Sequence, residues 1–148
     1  MPKSETYIHV LARAVIRIDD ELLLARCKGA SNTFLPGGHV EVGESMHDAI
    51  ARELNEEFGR SCVVGGYLGA IEHAFTESGS TQHEVSHFFR VQLVGIDGPQ
   101  PLDSLEPHLE FFWQPITKLG DTNLQPSPAI ALVTESCLTW GSTLKHGA

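Results

Sequence analysis

Residues 38–59 read GHVEVGESMHDAIARELNEEFG, and they constrain the fold more than any other stretch. Ser45 is an N-cap residue, and Asp48 stands where a capping-box acid belongs. Met46, Ile50, Leu54 and Phe58 then recur every four residues and make one apolar stripe. Gly59 fits the C′ position that ends a helix. Glu53, Glu56 and Glu57 fall at i, i+3 and i+4. Such positions share a helix face, with neighbouring side chains ~5–6 Å apart. They flank the apolar stripe, at the rim where the helix meets its core, while Asp48 and Asn55 face water. Like charges at this spacing repel, and the last turns of a helix disfavour anions. The plain reading is a solvated acidic face. The alternative is a divalent cation that relieves the repulsion, and oxygen-only donors select a hard ion, Mg²⁺ or Mn²⁺. Arg52 next to the triplet and a Gly-rich loop carrying Glu44 favour the cation.

The rest of the chain supplies strands. Residues 7–18, YIHVLARAVIRI, are apolar and partly alternating, and predict a strand. Asp19-Asp20 predicts a turn and Glu21–Arg26 its hairpin partner. Residues 28–32 predict a loop and Thr33–Leu35 a short extended piece, ended by the breaker Pro36-Gly37-Gly38. Two long strands are expected over 61–74 and 84–94, joined by a polar loop at 75–82. Residues 95–101 form another loop, Glu110–Trp113 a short strand, and Ser127–Cys137 a second helix with Pro128 in its first turn. The tail from Trp140 gives no pattern. Strands with helices to either side imply an α/β fold: one domain, residues 5–140, with a mixed sheet between helices.

Composition excludes several classes. No run of about 18 apolar residues exists to span a membrane. The first ten residues lack the apolar stretch of a secretory signal. Three scattered cysteines, Cys27, Cys62 and Cys137, suggest reduced thiols and a cytoplasmic setting. A net charge of −9 argues against a nucleic-acid polymer as partner. It does not exclude a small phosphorylated substrate, since a bound cation reverses the local field.

The segment from Gly38 also resembles the Nudix box. Gly38, Glu44, Arg52, Glu53, Leu54, Glu56, Glu57 and Gly59 fall on that pattern in register, and only Arg60, where the box ends on an apolar residue, departs from it. The resemblance implies a Nudix-type α/β/α sandwich with a mixed β-sheet, and a MutT-like enzyme using Mg²⁺ or Mn²⁺. By that resemblance Glu53, Glu56 and Glu57 are metal ligands, Arg52 positions Glu44 or Glu53, and Glu44 lies near the metal. A glutamate takes a proton from the attacking water. Glu53 is the first choice for that base. Glu106, in SLEPHLEFFW, and Glu84, beside His83 at a strand start, are its rivals; each taken alone reads more readily as a surface acid than as the base. Gly37 and Gly38 serve a turn, or let backbone approach metal or phosphate. Phe34, where many relatives carry Trp, is core or site. Arg26 and Lys28, at a strand end, are candidates for substrate phosphates. The histidines are read as structural, with only His83 and His87 near the cleft.

The expected reaction is hydrolysis of a phosphoanhydride in a nucleoside diphosphate linked to another moiety. Nucleoside triphosphates, oxidised ones included, head the substrates; ADP-ribose and dinucleoside polyphosphates are alternatives, as is a non-catalytic nucleotide-binding module. The base pocket is expected from 7–13, 75–87 and 113–130. A homodimer through an apolar edge at 61–71 completes the expectations.

Overall fold

The computed structural model describes residues 7–135 and 138–144. Cys137 and the first two residues of the expected domain, 5–6, lie outside them. A five-stranded sheet runs in the order β4 (Gly37–His39), β1 (Ile8–Val15), β6 (Ser80–Leu93), β5 (Cys62–Glu77), β8 (Thr139–Ser142). It is mixed: β1 is parallel to β6 and β5 to β8, while β4–β1 and β5–β6 are antiparallel. A second, antiparallel sheet holds β2 (Arg17–Ile18), β3 (Glu21–Cys27) and β7 (Leu109–Pro115).

Alternation along the strands builds two cores. On one face Ala12, Ala14, Phe89 and Val91 pack against Ala49, Ile50, Leu54 and Phe58 of helix α1 (Met46–Phe58). On the other, Ile71 and Phe88 pack with Ala129, Leu132 and Val133 of helix α2 (Ala129–Thr134). Leu23 joins the first core; Leu22 and Leu24 join the second. A helix on each face of a mixed sheet is the expected sandwich. Among the described residues no helix is long and apolar enough to cross a membrane.

Several local expectations need correction. The strand expected over 7–18 is two strands in different sheets, divided at the buried Ile16. Asp19 and Asp20 both take positive φ, 50° and 63°, the type I′ hairpin geometry that suits strand twist. The loop expected at 75–82 is strand nearly throughout. Its turn is only Ser78-Gly79, again with positive φ at both residues, and the ladder runs on to Glu77↔Ser80. Helix α2 ends at Thr134, because Glu135 is already extended. The tail contributes β8, which pairs with β5 over Gly69–Glu72 and so covers part of the edge expected free at 61–71.

The correction nearest the cleft concerns Pro36-Gly37-Gly38. The two glycines open the edge strand β4, with Gly37 opposite Arg13 and Gly38 opposite Ala12. Gly37 has φ 137°, and a Cβ there would overlap the Ala12 carbonyl oxygen. Gly37 therefore lets the strands close up where a side chain would hold them apart, while the bare Gly38 faces the Glu53 side chain.

Candidate active site

Helix α1 follows its sequence signals. Asp48 N–H donates to Ser45 Oγ (3.1 Å), and Gly59, at φ 67°, donates to the Asn55 carbonyl (2.9 Å). Its apolar stripe is set against the sheet, so the carboxylates rise in steps from the core. Glu56 is exposed, Glu53 is half-buried, and Glu57 is buried, with 5% of its surface accessible.

Arg52 organises this acidic face. Its Nε and Nη2 donate to the two oxygens of Glu44 (2.7 and 2.9 Å), a bidentate pair. Nη2 also donates to the His39 carbonyl on β4 (3.0 Å), and Nη1 to Glu53 (3.0 Å) and Glu56 (3.4 Å). One guanidinium thus ties loop, edge strand and helix together. The Arg52 hydrogen bonds hold the Glu44 carboxyl down at about 2. Of the two partners the sequence left open for Arg52, it holds both.

Glu57 has the opposite environment. Burial is the main cause that pushes its carboxyl up to about 8, against the opposing pull of Arg13, and Glu53 adds to the rise. Its Oε2 has no hydrogen-bond partner. A buried carboxylate oxygen left unpaired is costly unless something else satisfies it. Glu53 is also raised, chiefly by burial, with Arg52 opposing. The backbone beside Glu53 is bare: a Cβ on Gly38 would lie 2.5 Å from the Glu53 carboxyl carbon. Among the described residues no three His, Cys, Asp or Glu side chains are already drawn together as a cage, since Glu53 and Glu56 turn to Arg52. The donor set nonetheless fits a hard divalent cation: three oxygen ligands, one with an orphaned oxygen, beside a glycine cradle. Gly38→Ala should crowd the Glu53 carboxylate. Its expected effect is a fall of about 10-fold in kcat, with a Tm within about 2 °C of the parent, since only a side-chain end is displaced; calorimetry and steady-state kinetics check both.

The two rival acids separate. Glu106 sits in a loop that the Leu105 N–H ties to the Glu57 carbonyl (2.7 Å), and Ser104 Oγ accepts from its N–H (3.1 Å). Its charge contributes to the raised Glu57. Glu84 instead lines a cavity of about 340 Å³ with Phe34, His73 and Phe75. His83 and His87 lie on β6; His87 Nδ1 pairs with the Tyr67 hydroxyl (2.9 Å). Arg26 is committed elsewhere: its Nε donates to Glu110 (2.6 Å) and it stacks on Phe112, both on β7. Lys28 follows it, its N–H bonded to the His108 carbonyl (2.9 Å). Among the described residues no hydrogen bond or ion pair joins either to the glutamate cluster.

The residue the sequence reading passed over is Arg13. It is half-buried on β1, donates through Nη1 to the Leu35 carbonyl (3.1 Å) and lies over the Phe34 ring (5.5 Å). Burial lowers it, while Glu84, Glu57 and Glu53 support its charge. It therefore stands between the carboxylate cluster and the cavity, which it also lines. The signal was present: a cation enclosed in the apolar run Leu11-Ala12-Arg13-Ala14-Val15 has to meet acids inside the fold.

A sequence model described as NUDIX domain matches residues 8–133. A Mycobacterium tuberculosis protein carrying the name mutator protein MutT4 is 34% identical over 85 residues, 57% of this chain and 33% of that protein. The ADP-ribose pyrophosphatase of Methanocaldococcus jannaschii is 31% identical over 102 residues, 64% of this chain and 58% of the relative. The chain thus spans between a third and three fifths of those relatives. The crystal structure of a MutT protein from Methanosarcina mazei superposes with a TM-score of 0.67 at 26% identity, covering 88% of this chain and 94% of that one.

Proposed function

Because the chain belongs to the Nudix family, we propose that it is a pyrophosphohydrolase cleaving a phosphoanhydride in a nucleoside diphosphate linked to another moiety. Its relatives, one named as a MutT protein and one as an ADP-ribose pyrophosphatase, support that substrate class. The observation that carries the reading is the buried, unpaired Glu57 oxygen beside the Arg52 clamp. Glu53, Glu56 and Glu57 would hold Mg²⁺ or Mn²⁺. When bound, the cation neutralises phosphate charge and acidifies a water.

The chain's own residues supply the rest. Arg52 keeps Glu44 ionised and restrains Glu53 and Glu56. Glu53 accepts the proton of the attacking water, with Glu106, tethered beside Glu57, as its alternate. Glu84, in the cavity, is set apart from that role. Arg13 offers the phosphates a cation from the far side of β4. Nucleoside triphosphates are the first substrate class, given the MutT-like fold; ADP-ribose is the second, given the Methanocaldococcus relative.

A panel of nucleoside triphosphates, ADP-ribose and dinucleoside polyphosphates, assayed by phosphate or pyrophosphate release, tests this. Hydrolysis is expected with millimolar Mg²⁺ or Mn²⁺ and should stop with chelator. Nucleotide binding without hydrolysis would leave only a binding module. Hydrolysis undiminished by chelator would remove the cation.

A further inference from the structure

The cavity beside Arg13 has features the glutamate cluster does not use. Its volume of about 340 Å³ is within the range of ligand pockets, ~300–1,000 Å³. Phe34 forms part of the lining, backed by the Arg13 guanidinium. His73 and Phe75, whose rings stack at 5.0 Å and 24°, line it as well. His73 Nδ1 pairs with Thr143 Oγ1 (2.8 Å), which fixes the ring, and burial pushes the imidazole down against the opposing charge of Glu84. Flat rings of this kind select a flat ligand. Glu84 also lines the cavity and makes no hydrogen bond or ion pair among the described residues. Register explains its aim: Glu84 faces His9 on β1 and His73 on β5, the same side of the sheet as Arg13, Ser86 and Phe88.

The cavity lies where the base pocket is expected, and we propose that within it Glu84 selects bases carrying an exocyclic amino group, stacked between Phe34 and the His73–Phe75 pair. This rests on the hydrolase reading above. An ionised carboxylate only accepts hydrogen bonds. It is matched by the amino group of cytosine, adenine or guanine. Uracil offers a single N–H between two carbonyls, whose oxygens would face the carboxylate. Arg13 lines the cavity and interacts electrostatically with Glu84 there and with Glu57 and Glu53 beyond it. A base seated there therefore leaves its phosphates directed past Arg13 to the glutamates. Glu84 is a specificity residue, not the base of the reaction.

The test pairs kinetics with binding. With Mg²⁺, the best of cytidine, adenosine and guanosine triphosphates should exceed uridine triphosphate by about 10- to 100-fold in kcat/KM, the scale of one unmet polar contact in a half-open site. Glu84→Gln should narrow the ratio to within about threefold, chiefly through KM, because an amide both donates and accepts. Unchanged thermal melting would show that the variant folds. Separately, NMR titration of the metal-free protein with the four nucleoside monophosphates should shift the His73, Phe75 and Ser86 amides, least with uridine monophosphate. Equal kcat/KM across the four bases, or a ratio untouched by Glu84→Gln, overturns base selection and leaves the hydrolase reading standing. Base-dependent shifts at the cavity with no hydrolysis of any nucleotide support the pocket and overturn the hydrolase reading instead.

Discussion

Glu57→Gln is expected to lower kcat by at least about 10³-fold with Mg²⁺ while making the metal-free protein more stable above neutral pH. The two effects have one cause. Glu57 is the buried member of the triplet and carries the orphaned oxygen. On the proposed reading, that oxygen would be the metal ligand that costs most to lose, because nothing else nearby satisfies it. Loss of an electrostatic element aimed at developing charge is worth 10²–10³ or more in rate. Without metal, the same carboxylate is a burden. Its folded pKa is raised from 4.5 to about 8, so between those values the folded state holds a proton that the unfolded chain has released. The unfolded state then binds fewer protons, and unfolding free energy falls as pH rises through that window, by about 1.4 kcal/mol per unit at the steepest. Glutamine has nearly the same shape and cannot ionise. Denaturant unfolding in chelator should show parental stability dropping by a few kcal/mol between pH 5 and pH 8, and a flat profile for Glu57→Gln. A variant that kept its turnover, or one as pH-sensitive as the parent, would remove Glu57 from the proposed site.

Helix α1 was legible because its signals are local and agree. Cap, stripe and terminal glycine each fix a backbone position within one turn of themselves, and the charged positions follow from the period. The glutamates' unequal burial was not legible, since it depends on how close β4 comes to the helix. That distance is set by Gly37 and Gly38, which read as a breaker because glycine favours turns. In an edge strand they do something a local pattern does not reveal: Gly37 permits a close approach to Ala12, and Gly38 leaves room for the Glu53 carboxylate. The tail failed for a related reason. β8 forms by pairing with a strand some seventy residues away, and Gly69 makes room for it, since a Cβ there would overlap the Thr139 carbonyl oxygen. Arg26 shows the converse. As a strand-end cation it looked free for phosphate, but the antiparallel register of β3 with β7 places Glu110 directly opposite. Arg13 has the same residue type and the opposite fate, because its strand lies beside β4.

Arg52→Ala is expected to lower kcat/KM by about 10- to 100-fold, the usual scale for losing a group that orients metal ligands. The guanidinium touches no substrate in this reading; it acts through the carboxylates. Glu44 is held from both oxygens and Glu53 and Glu56 from a third nitrogen, so removing the fork releases three acids at once. They would then repel one another across the cleft, and His39 would lose its anchor to the helix. Arg52→Lys separates charge from geometry. It restores one positive charge but cannot donate to Glu44, Glu53 and His39 together. It should therefore recover less than about a tenth of the lost activity, and it should need more Mg²⁺ for half-maximal rate than the parent does. Acid unfolding gives a second readout. The Glu44 carboxyl sits at about 2 in the folded protein against an ordinary 4.5. Its contribution to stability is full above 4.5 and disappears as pH falls toward 2. In Arg52→Ala that contribution is absent at every pH, so stability between pH 5 and 7 should drop toward the acid value and the slope below pH 4.5 should flatten. Parental Mg²⁺ dependence and an unaltered acid slope in both variants would show that Arg52 is only a surface cation.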